Sequence, residues 1–136
     1  MSKRKKAAPL SVELIPTDVQ VSAFTVAGKW ALLDLLAARP LKASLYNESG
    51  VELSDGLGYS KGGVTLQNAI TGTAGDMAFL SFQDPAWPSA GFQSASQMRI
   101  YDADSGTIYA QLNFAQPLNG QGATFRVELP PQLITL

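Results

Sequence analysis

Two short stretches of this chain carry residue types and spacings that could do chemistry. Gly58-Tyr-Ser-Lys-Gly62 has the G-x-S-x-G spacing of a hydrolase nucleophile elbow. That chemistry needs a base to take the serine proton, and the chain contains no histidine. Lys61 is adjacent to Ser60, and neighbouring side chains of extended backbone point to opposite faces, so a Ser–Lys dyad is not expected. A glycine loop entering a strand accounts for the motif. Asp102-Ala-Asp-Ser-Gly106 is like the start of a calcium loop, but a loop of the EF-hand type puts Gly at position 6 and Glu at position 12. Here Gly falls at position 5 and Asn113 at position 12. A tight hairpin with Gly106 in a left-handed conformation explains these residues.

The remaining inventory is equally spare. With no cysteine there is no disulfide framework, thiolate metal site or cysteine nucleophile, and without histidine the usual general base and commonest metal ligand are missing. The eleven acids scatter over turns and exposed faces without a paired-carboxylate motif. The glycines of residues 56–63 lack the Gly-Lys-Ser/Thr ending of a phosphate loop. Asn47-Glu-Ser49 fits a glycosylation sequon, but no secretion signal accompanies it and a turn explains it. An enzyme is therefore not expected, and no cofactor or metal is.

The 136 residues suit one domain with a real core. Apolar residues make up 46% and charged residues 15%, against roughly a quarter charged in an average soluble domain. The chain is thus globular, with part of its apolar surface available to neighbours. No apolar run approaches the roughly 20 residues that span a bilayer, so a membrane is not an expected partner. The charge is uneven. Lys3, Arg4, Lys5 and Lys6 hold four of the ten basic groups, and residues 7–136 carry a net charge of −5. A basic arm on an acidic body suits docking on an acidic surface; it is also what a plain solvated terminus looks like. No nucleic-acid motif accompanies it, and nucleic acid is not expected.

The elements that must position any site are mostly strands. Leu10-Ser-Val-Glu-Leu-Ile15 alternates between Pro9 and Pro16, with Leu10, Val12 and Leu14 on one face, which suits an arm or edge strand. Val19–Phe24 also alternates. Ala27–Ala38 is the one good helix, rich in Ala and Leu and ended by Arg39-Pro40. Trp30, Leu33 and Ala37 form its stripe, widened by Leu32, Leu35 and Leu36, with Lys29, Asp34 and Arg39 on its polar side. From Leu41 onward period-2 alternation predicts strands: 41–46, 51–53, around Val64 and Leu66, 77–82, 98–101, 107–114 and 123–129. Asn47–Gly50, Asp55-Gly56, Asp102–Gly106 and Pro117–Gly122 are the turns. The pattern predicts a mainly β chain, an antiparallel β-sandwich of jelly-roll type over 27–136, with one short helix and an extended arm over 1–26. Trp87 and Phe92 fall in a loop framed by Pro85, Pro88 and Gly91. They either cover the open end of the sandwich or anchor a protein contact.

The order of helix, strand, glycine loop, buried strand, aromatic loop and Tyr-Asp hairpin resembles small virion proteins of tailed bacteriophages. The resemblance spans about residues 27–136. It is carried by Trp30–Leu36, Ala43–Tyr46, Gly58-Tyr59 with Val64–Leu66, and Met98–Gly106. Leu112–Phe114, Thr124–Leu129 and Leu133–Leu136 complete it. It implies a capsid cement or decoration protein on the outside of an icosahedral shell, bridging neighbouring major capsid subunits. It also implies self-association as a dimer or trimer at symmetry axes, and a place on the virion surface after synthesis in the host cytoplasm without secretion. The basic arm and the strand at 10–15 depart from the family pattern. The candidate partner-binding residues are Lys3, Arg4, Lys5, Lys6, Leu10, Val12, Leu14, Trp87 and Phe92. Two other readings are a tail or head–tail connector component, and a carbohydrate-binding sandwich using Trp30 or Trp87 as platforms.

Overall fold

The computed structural model describes residues 24–136, so the arm residues Lys3, Arg4, Lys5, Lys6, Leu10, Val12 and Leu14 lie outside the described residues. The helix α1, Val26–Ala37, begins at Thr25, whose hydroxyl oxygen accepts from the Gly28 N–H at 3.0 Å. That bond satisfies one orphan amide of the first turn. Pro40 cannot continue the helix, and strand β1, Leu41–Tyr46, follows at once.

The other strands are β2 Val64–Thr65, β3 Ile70–Ala74, β4 Met77–Ser81, β5 Ala86–Trp87, β6 Ala95–Asp102, β7 Ile108–Leu118, β8 Phe125–Arg126 and β9 Ile134–Thr135. They form three antiparallel sheets, in the orders β2-β1-β6-β7, β3-β4-β9 and β5-β8. The described chain is thus mainly β with one short helix. Register is set by which face is buried. Leu41, Ala43 and Leu45 of β1 and Met98 and Ile100 of β6 point inward, meeting Leu80 of β4 and Trp87 of β5 in one apolar cluster. Lys42, Arg99 and Tyr101 fall on the opposite face, where the Arg99 guanidinium lies 4.0 Å from the centre of the Tyr46 ring.

Several strands depart from the alternation. The expected strand at 123–129 shrinks to Phe125–Arg126, because its partner β5 is two residues long; Val127 N then donates to Pro85 O at 3.0 Å and Leu129 N to Asp84 Oδ1 at 2.8 Å. β7 runs through Pro117, where a turn was expected. The ladder with β6 jumps from Gln97–Asn113 to Ala95–Leu118, so Pro117 sits in an irregular stretch where its missing N–H breaks no regular pair. β3 was not expected at all. Gly72 at its centre lies under the Phe79 ring, 2.7 Å from where a Cβ would be, and the strand is recognisable only through that partner.

Candidate interaction surface

The two chemical motifs are both tied into the surrounding structure by hydrogen bonds. Ser60 is exposed between the Gly56–Tyr59 turn and Gly62-Gly63, and the two-residue strand β2, not a helix, comes next. The loop is pinned from beneath. Tyr59 donates its hydroxyl to Glu52 Oε2 at 2.6 Å while accepting from Leu45 N, and Gly62 N donates to the same carboxylate oxygen. Tyr101 donates to Gly62 O at 2.6 Å. Burial, together with the nearby Glu52 carboxylate, raises both phenols above the ordinary tyrosine range and keeps them donors.

Asp102 faces inward from the end of β6 and is buried. Arg39 Nε donates to its Oδ2 at 2.6 Å, and the backbone amides of Asp104 and Ser105 donate to Oδ1. Both oxygens are therefore occupied by donors, and the residue ties the end of α1 to the β6–β7 turn, where Gly106 has φ +77°. The hydrogen bond from Arg39 holds the Asp102 carboxyl down at about 2, helped by the two amides and opposed by burial. A carboxyl depressed in the folded state contributes stability above its unfolded value that is lost as pH falls through the folded value. Thermal stability is expected to decline between pH 4 and pH 2, and an Arg39→Ala variant should show a shallower decline over that range. Parallel acid titrations of the two proteins would refute this link.

Trp87 and Phe92 require a correction: neither is available to a partner. Trp87 is 2% and Phe92 4% exposed. Trp87 belongs to β5 and stands opposite Phe125 of β8. Its ring packs 6.4 Å from Tyr59 and 6.0 Å from Phe125, and Phe92 meets Phe125 at 5.0 Å. Rings at these separations form core, and the framing prolines merely turn the chain around them.

Exposed apolar side chains lie elsewhere, singly at Val51, Leu57 and Ile70, and grouped on the helix. Lys29 Nζ donates to Asp76 O, Trp30 Nε1 to Thr71 Oγ1, and Thr71 Oγ1 in turn to Asp34 Oδ1 at 2.8 Å. So Lys29 and Asp34 of the polar side are bonded to the β3–β4 hairpin, while Arg39 bonds Asp102. Of the expected stripe Leu33 is buried and Ala37 half-buried, whereas Trp30 is 42% exposed. Leu32 is 42% and Leu35 68% exposed. They open a groove of about 440 Å³, closed on its other side by Tyr109, Ile134 and Leu136. Sequence pattern could not show this, because a helix apolar almost all round does not declare which face is in.

Among the described residues, no group of three or more metal-binding side chains is gathered. No helix there is long and apolar enough to cross a membrane. Comparison of the chain with family models, curated proteins and solved structures returns no match.

Proposed function

We propose that the chain is a structural component of a tailed-phage particle, a cement protein whose sheets pack as a sandwich and whose outer surfaces bridge neighbouring major capsid subunits. The observation that carries this reading is the outer side of α1, with Leu32 and Leu35 exposed over an apolar groove. Apolar surface of this kind suits a partner better than water. The family resemblance of residues 27–136 and the contrast between the basic arm and the acidic body support the same partner class.

The mechanism is linkage. A protein that binds only the assembled shell stabilises it by RT ln(1 + [L]/Kd), about 2.7 kcal/mol per site at 100 times Kd. Repeated over a symmetric lattice, modest contacts suffice.

Densitometry of purified particles tests the reading. On the order of hundreds of copies per particle fit a shell protein, and about a dozen would transfer the chain to the tail or the head–tail connector. Deleting residues 2–20 is expected to lower occupancy strongly while near-UV circular dichroism stays that of the folded domain; unchanged occupancy removes the arm from the contact. The carbohydrate reading is weakened by the burial of Trp87 and by the Trp30 indole N–H already bonded to Thr71.

A further inference from the structure

Most exposed sheet edges in this molecule are blunted by brevity. β2 and β9 are two residues each, and β3 is five residues with Gly72 at its centre. β7 differs. It is eleven residues long, is the last strand of the four-stranded sheet, and pairs on one side only, with β6. No other described segment bonds to its outer backbone. One register break sets Tyr109 apart between Ile108 and Ala110, and the other, with Pro117, lies beyond Asn113, so Ala110–Asn113 presents a regular open edge between them.

The chemistry of that edge selects its partner. Ile108–Leu118 contains no Asp, Glu, Lys or Arg, although lysine and other charges are the usual guard on an open edge. In a contact related by a two-fold axis, every residue near the axis meets its own copy, so a charge there would face a like charge. A strand without charge avoids that repulsion. Its polar side chains are amides, both donor and acceptor: Gln97 Nε2 and Gln111 Nε2 each donate to Asn113 Oδ1. Amides of this kind are self-complementary across an axis. At one end Ile108 is 51% and Tyr109 44% exposed, and Tyr109 continues into the apolar groove beside α1.

We propose that β7 pairs antiparallel with β7 of a second copy of this chain, joining two four-stranded sheets across a two-fold axis. This contact does not rest on the cement reading and holds whether or not the chain belongs to a shell. The joined edge is Ala110–Asn113, with Gln111 near the axis. A strand-edge contact of this size is at the small end of specific interfaces, so the dimer is concentration-dependent.

Sedimentation of the full chain over a concentration series is expected to show a monomer–dimer equilibrium. Gln111 is exposed and stands opposite Arg99, so near-UV circular dichroism of each charged variant first checks that the fold is kept. Gln111→Lys and Gln111→Glu should each weaken dimerisation about tenfold or more, and a one-to-one mixture of the two should restore it. Amide exchange within residues 110–113 should slow as wild-type concentration rises, which reads the same edge without a variant. A chain that stays monomeric, a dimer indifferent to both charges, or exchange independent of concentration overturns the proposal. So does a dimer lost only on deleting residues 2–20, which would place the arm at the interface.

Discussion

Gly63→Ala is expected to cost more than about 4 kcal/mol and to leave little folded protein at ambient temperature. A methyl group at Gly63 would lie 1.7 Å from Ala43 O and 2.6 Å from Ala43 C, against the backbone of β1. Neither atom is the yielding end of a flexible side chain. Relief requires β1 to move, and β1 is the strand that joins β2 to β6. The left-handed backbone at φ +77° adds strain of about 1–2 kcal/mol for any residue with a Cβ. Gly75→Ala is the control, since Gly75 has φ +59° but nothing within 4 Å of an added Cβ. It should lose only the strain term. Urea unfolding of the two variants separates clash from strain, and equal losses would refute the close approach.

Trp87→Ala should destabilise by about 3–5 kcal/mol, the usual cost of removing a fully buried ring. The cavity would open between Tyr59 and Phe125, both held by other contacts and poorly placed to collapse into it. Trp87→Phe should cost clearly less. It keeps part of the volume, and it also removes an indole Nε1 that is buried with no acceptor among the described residues. A buried donor left unpaired costs about 1–3 kcal/mol, which the phenylalanine no longer carries. Thermal unfolding of both variants provides the measurement. Wild-type stability in Trp87→Ala with lost particle binding would return this residue to the surface.

Strand existence was readable wherever alternation met a long partner. Leu41–Tyr46 was read with its full extent because it pairs along its whole length with β6. The turn at Asp102–Gly106 was readable because its side chains act locally on neighbouring amides. What escaped depended on distant contacts. β3 needs Phe79 over Gly72, and the length of β8 is limited by β5, features that no local window contains. The site misled for a similar reason. Aromatics between prolines have the composition of a contact loop, and only the arrival of Phe125 from far along the chain makes Trp87 core. The outward leucines of α1 were legible as residues and illegible as a surface. Their direction is decided by polar bonds from Lys29, Trp30 and Asp34 to a hairpin that begins some forty positions later.

The pairing of β1 with β6 has a kinetic consequence. Tyr46 meets Gln97 and Leu41 meets Asp102, so the central ladder closes only after the intervening chain has been gathered. Closing so long a loop costs entropy before any contact repays it, and domains dominated by such pairings fold in milliseconds to seconds. The β6–β7 hairpin is local and forms on a scale of about microseconds. An isolated hairpin is only marginally stable, so it forms and reopens repeatedly before β1 arrives, and while formed it is a two-stranded ribbon open on both sides, bare along β7 on one of them. Refolding yield should consequently depend on dilution, because at high concentration the ribbon meets another ribbon before its own first strand arrives.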